Sequence, residues 1–299
     1  MRRSLQLCLS LLAVLTLTAA AVTSAEAHQA GTTYMKINKA HGNKPSRGSN
    51  LFYHGGAIQQ SVRVVIVYWG SDWTTANYSS ARSYIEGFFN GVGGSPWANS
   101  TAQYCQGVSF GATQCGASAI HPLNPASNVT VVPDGTAVPS SPTQSQIAAR
   151  AAAAANTIGN LPITNYMVFT PSGHSENGFG TQWCAYHSSS GGVSYSYIPY
   201  QPDAGASCGM NFVNSGSAGA FDGFSIVGGH EYAETITDPY PNSGWLDGRA
   251  AENGDKCAWI SSGQGAAADV SLSTGSFAVQ SLWSNAFNGG AGGCVVTYP

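Results

Sequence analysis

Charge is scarce in this sequence. Asp, Glu, Lys and Arg make up 8% of its 299 residues, and the formal net charge is −3. A chain so poor in Lys and Arg lacks the basic surface that holds nucleic acid or an anionic membrane. Beyond the N-terminal segment no apolar run is long enough to span a bilayer. There is no Cys-x-x-Cys pair, which argues against a cysteine zinc site. No internal repeat divides the chain.

What is present begins with a leader. Arg2 and Arg3 precede the apolar run LQLCLSLLAVLTLTAAAV, and Ala25-Glu26-Ala27 gives a small-x-small cleavage site. Residues 1–27 therefore read as a secretory signal peptide, and the expected location is extracellular. Loss of Arg2, Arg3 and Glu26 would take the net charge to −4. Residues 28–50 are polar and irregular, and a flexible leader or propeptide is expected there. Residues 51–299 suit one globular domain. With Cys8 removed, six cysteines remain: Cys105, Cys115, Cys184, Cys208, Cys257 and Cys294. An even number in an exported chain reads as three disulfides, and pairing of sequence neighbours (105–115, 184–208, 257–294) is expected.

The β-branched run at 62–68 predicts a buried strand. Tyr84, Ile85, Phe88 and Phe89 recur at helical spacing within 79–92. The segment 93–140 is rich in Gly, Pro, Ser and Asn, with a short strand at NVTVV. Alanine content makes 141–156 a helix. Strands are expected at 163–170 and 191–200, the latter half-exposed, and near 257–260, 277–283 and 294–299. A helix is expected at 221–238 despite Gly228 and Gly229. The order implies a mixed α/β (α+β) fold with a single sheet and a few helices. Zinc peptidases of the zincin kind also combine a sheet, a backing helix and a later active-site helix, so a zincin-like arrangement is expected by analogy.

Against this background the stretch GGHEYAETITDP (228–239) stands out. On a helix at about 100° per residue, His230, Glu234, Asp238 and Glu231 fall within about a quadrant. Three carboxylates on one face repel, and Asp238 lies at the negative end of the helix dipole. No Lys or Arg lies within 226–238 to compensate. Glu231, Glu234, Asp238, Asp247, Glu252 and Asp255 are six of the chain's 14 acidic residues. A bound cation would resolve that crowding.

His-Glu-x-x-Glu differs by one ligand from His-Glu-x-x-His, in which the i and i+4 side chains hold zinc and the intervening Glu activates water. Here His230 and Glu234 would ligate and Glu231 would be the general base. Glu252, Asp255 and Asp238 are candidates for the third ligand. The acidic donors also admit Ca2+, while His230 favours Zn2+.

Three stretches resemble the phosphate-induced protein 1, or exordium, family. They are LFYHGGAIQQSVRVVIVYWGSDW, FTPSGHSENGFGTQWCAYHS, and HEYAETITDPYPNSGWLD followed by AENGDKC. The likeness runs in order through 51–299 and is most specific from His230 to Cys257. It implies export to the cell wall or extracellular space. In the plant pattern an Asn often stands where this chain has Asp238, which favours Glu252 or Asp255 as third ligand. The segment 93–140, with Cys105 and Cys115, departs from the pattern.

The resulting expectation is a secreted metal-dependent hydrolase, a zinc peptidase acting on extracellular peptide or protein. The alternative is a non-catalytic, wall-associated exordium-like protein with a structural metal site. A monomer is expected, with a cell-wall polymer as the other candidate partner. His174 and His187, on either side of Cys184, read as hydrogen-bonded structural histidines before ligands. His54, before Gly55-Gly56, reads as a turn residue. The seven tryptophans read as core or loop anchors before sugar-stacking platforms.

Overall fold

A computed structural model describes residues 31–38, 49–123, 128–161 and 163–298. The signal-peptide reading of 1–27 lies outside the described residues. Twelve strands and three principal helices are formed among them. The strands are β1 (Thr32–Lys36), β2 (Phe52–Tyr53), β3 (Arg63–Trp69), β4 (Val129–Asp134), β5 (Thr164–Phe169) and β6 (Trp183–Ser190), followed by β7 (Val193–Ile198), β8 (Trp245–Leu246), β9 (Ala268–Leu272), β10 (Gly275–Val279), β11 (Leu282–Ser284) and β12 (Gly293–Val295). The helices are α1 (Ser79–Val92), α2 (Gln144–Ile158) and α3 (Asp222–Thr237).

The main sheet has six strands in the order β1-β6-β7-β5-β3-β4. β4, β3, β5 and β7 are parallel, while β6 runs antiparallel to both β7 and β1. The chain moves outward from β3 to β4 and then back across β3 to β5. Right-handed crossovers in opposite directions place their helices on opposite faces. α1 accordingly packs with α3 on one face, through Ile85, Phe88 and Phe89 against Val227 and Ala233. α2 covers the other face with Ile147, Ala151, Ala154 and Ala155 against Val65, Val67, Tyr166 and Tyr186. α2 starts at a capping box in which Thr143 and Gln146 satisfy each other's backbone N–H groups. Pro133 is tolerated in β4 because that strand is an edge.

Gly191 and Gly192 carry the β6–β7 hairpin with φ of +57° and +79°. A turn with two positive φ values suits tightly paired strands, and glycine adopts it without steric cost. The expected strand at 191–200 thus begins two residues later, and it is buried along its whole length rather than half-exposed. β6, which the sequence reading did not anticipate, covers one side of it.

Several other expectations change. Residues 32–36 of the expected flexible leader form β1, and Met35 is fully buried in the main core. Residues 257–260 are not a strand, since a 3-10 turn spans Asp255–Cys257. The single strand expected at 277–283 is two strands, β10 and β11, in separate small sheets. The disulfides are Cys105–Cys115, Cys184–Cys208 and Cys257–Cys294. All seven tryptophans are at least 95% buried, so they are anchors in this conformation. No helix among the described residues is long and apolar enough to cross a membrane.

Candidate metal centre

α3 is not a surface helix: all sixteen of its residues are buried. Its glycines explain how it enters the core. A Cβ on Gly228 would stand 3.2 Å from the Phe89 ring, and one on Gly229 would stand 3.1 Å from Trp97 and 3.2 Å from Phe88. The pair lowers helix propensity but lets aromatic rings of α1 and the following loop lie against the backbone. The polar quadrant of α3 is consequently sealed inside the protein.

His230 is oriented first. Its Nδ1 lies 3.2 Å from Oε1 of Gln280, and the Gln280 amide nitrogen donates to the carbonyls of Gly254 and Ser281 at 2.8 and 3.2 Å. Those two donations fix which end of the Gln280 amide accepts, so Nδ1 of His230 is the protonated nitrogen. Nε2 is then the nitrogen that carries either the second proton of an imidazolium or a cation in its place. It lies 3.1 Å from Oε1 of Glu234 and 3.8 Å from Oδ1 of Asp255, and it has no hydrogen-bond partner. Asp255 arrives on the 3-10 turn, where its own N–H donates to Glu234 Oε1 at 2.9 Å. Donor atoms of His230, Glu234 and Asp255 all fall within 4.8 Å of one another.

A second group adjoins the first through Glu234. His187, on β6, places Nδ1 at 3.2 Å from Oε2 of Glu231 and 3.6 Å from Oε2 of Glu234. Its Nε2 is 3.5 Å from Oε2 of Glu252. His187, Glu231 and Glu234 likewise bring donor atoms within 4.8 Å. Glu231 Oε1, Glu234 Oε2, both oxygens of Glu252 and Nε2 of His187 are buried without a partner.

Four carboxylates and two imidazoles are thus packed together, and the ion pairs of these carboxylates are with the two histidines. Burial by itself would drive the His230 proton off. The anions of Glu234, Glu231 and Asp255 overcome it and raise the imidazole pKa to about 10. Asp255 is pushed up to about 7, mainly by burial and then by Glu234. Glu252 is raised well above the carboxylate range by burial and by the charges of Glu234, Asp238 and Asp255. Glu234 is burdened by burial, but His230 and His187 bring it below its ordinary value. The pocket therefore calls for positive charge, as protons or as a cation. Orphaned lone pairs on histidine and carboxylate, with His230 held from behind, fit a divalent metal.

The structure separates the sequence candidates. His230, Glu234 and Asp255 meet at one point. Glu231 and Glu252 border the same cluster but face His187. Asp238 stands apart: its carboxylate accepts the N–H groups of Asn242, Ser243 and Gly244 and the Ser243 hydroxyl. It organises the turn after α3, and those donors offset the unfavourable helix dipole. Asp247 is likewise structural, 2.9 Å from the buried Lys256 amine. His187, expected as a hydrogen-bonded structural histidine, lies inside the cluster, between Glu231, Glu234 and Glu252. The signal that would have found it was the Gly191-Gly192 turn, which makes WCAYHSSS a strand with His187 facing α3.

No protein-family model matches the chain, and neither a curated protein nor a solved structure is significantly similar to it.

Proposed function

We propose that this protein is a metal-dependent hydrolase of extracellular peptide bonds, with zinc held by His230, Glu234 and Asp255. The observation that carries this reading is the unpartnered Nε2 of His230, aimed at two carboxylates while Gln280 fixes Nδ1. A mixed nitrogen and oxygen donor set suits zinc, whereas calcium prefers oxygen alone. The bound ion would polarise the scissile carbonyl and acidify a water. Glu231 is the base that takes the water's proton, on its free Oε1, and returns it to the leaving amine. His187 holds the other oxygen of Glu231 and keeps the carboxylate oriented. Burial opposes the charged imidazole that this role needs, and the anions of Glu231, Glu234 and Asp238 restore it. The succession of sheet, backing helix and later His-Glu helix supports the zincin analogy, and the exordium resemblance supports an extracellular setting.

A second reading is a structural metal site in a non-catalytic wall-associated protein. It is favoured by the complete burial of His230, Glu231 and Glu234. The two separate in a turnover assay on a quenched-fluorescent peptide library. The hydrolase reading expects zinc-dependent cleavage, abolished by chelation and restored by zinc, and at least about a 100-fold loss in Glu231→Gln with zinc retained. Full zinc occupancy without turnover would establish the structural reading instead.

A further inference from the structure

The burial that favours a structural site has a source in the fold. β1 covers the outer edge of β6, the strand that carries His187, and pairs Thr33 directly with that histidine. The Thr33 hydroxyl approaches Glu252 and favours its anion without closing a well-formed hydrogen bond. The far end of β1 is clamped by the segment that follows Asp255: the Trp259 indole N–H donates to the Lys36 carbonyl at 2.6 Å. Gly31 O accepts from Ser188, Thr32 bonds Ser188 and Gln144, and the Asn38 N–H reaches Ser207 O. β1 thus lies between the two elements that deliver His187 and Asp255.

We propose that β1 is an internal stand-in for the substrate, lying on the β6 edge where an extended polypeptide would pair and keeping the metal centre closed until it is displaced. This rests on the hydrolase reading above. Without β1, β6 would present a row of unpaired N–H and C=O groups, the surface that captures an extended peptide by strand addition. A peptide docked there in the same antiparallel register would bring its backbone across His187 and its side chain to the place of Thr33, beside Glu252. Unfolded or extended chains would be the substrates, and folded proteins would be spared. The strap is tied down by Met35, an apolar plug fully buried in the main core, with Tyr34 against Trp183 and Tyr186 and Ile37 at the core's margin, among small polar contacts. As an edge strand it pairs with β6 alone, so it can be peeled away by breaking one ladder.

The test uses the full secreted chain, zinc-loaded, as wild type, Met35→Asp and Thr33→Pro. Met35→Asp expels the plug. Thr33→Pro leaves the plug and removes one strand N–H, and it reports if Met35→Asp fails to fold. Three quantities are read: binding of a fluorescein-labelled GTTYMKIN peptide, hydrolysis of the peptide library, and hydrogen exchange of the β6 amides. The expected result is faster exchange along 183–190, at least tenfold tighter peptide binding, at least tenfold faster hydrolysis, and competitive inhibition by the peptide. Fast β6 exchange without gain in peptide binding would overturn the proposal, and zinc-dependent turnover in that case would leave the hydrolase reading standing. Equal hydrolysis by wild type and variants would also overturn it. Tight peptide binding with no hydrolysis would sustain β6 as the docking edge and overturn the hydrolase reading.

Discussion

Nδ1 of His187 lies 3.2 Å from Oε2 of Glu231, joining a sheet strand to the carboxylate assigned as base. Burial raises the Glu231 pKa, and the hydrogen bond and charge of His187 oppose that rise. Removing His187 should therefore leave Glu231 protonated to higher pH. His187→Ala should retain zinc, shift the acid limb of the pH–rate profile upward, and lower turnover at pH 7 by about tenfold or more. A parallel fall at every pH would make His187 merely structural.

Asp238 separates turn-building from ligation. Asp238→Asn leaves one oxygen to accept N–H groups now shared by two, and should cost about 1–3 kcal/mol in denaturant unfolding. Zinc content should not change, because the Asp238 oxygens are taken by Asn242, Ser243 and Gly244. Loss of zinc with unaltered stability would return Asp238 to the ligand set.

Gly254 offers a steric probe that leaves every donor in place. Its φ of −78° suits any residue, yet a Cβ there would stand 2.7 Å from His230 Nδ1 and 3.0 Å from Glu234 Oε1. Gly254→Ala should force His230 off the Gln280 carbonyl and weaken zinc binding by about 10- to 100-fold, as loss of supporting contacts does elsewhere. Isothermal titration against a competing chelator measures it.

The metal-free protein should have a distinctive pH dependence. His230 is raised from 6.5 to about 10, so its contribution is fully present below pH 6.5 and disappears as pH rises through about 10. Asp255 is raised from 3.8 to about 7, because its neutral form is the one the site tolerates, and stability falls again as it ionises through about 7. Glu234 has the opposite sign: its lowered value contributes above 4.5 and is lost in acid. Asp255 begins to lose its contribution above 3.8, so Tm of the chelated protein should be highest at about pH 4–4.5 and decline towards pH 10. Zinc replaces those protons, so the Tm gain on adding zinc should grow with pH. Equal melting curves with and without zinc across that range would contradict it.

The sequence disclosed the chemistry more readily than its surroundings. His-Glu-x-x-Glu, the acidic excess and the cysteine spacing are local patterns, and they led to His230, Glu231, Glu234 and Asp255. β3, α1 and α2 were legible from β-branched runs and helical periodicity. β6 was not, because Trp183–Ser190 mixes Cys, His and Ser in a buried strand, and what buries it is long-range pairing. Thr32–Lys36 has the composition of a leader, and only its register with β6, some 150 residues away, makes it a strand. Full burial of α3 depended on Gly228 and Gly229 receiving aromatic rings, which no residue count within the helix reveals.

Elemental analysis of natively purified protein, paired with melting in EDTA, tests the centre most directly. The account predicts about one zinc per chain, retained through gel filtration and lost in His230→Ala, and a lower Tm in EDTA that zinc restores. Protein that carries no bound metal as isolated, takes up no zinc, and melts identically with and without EDTA would contradict it.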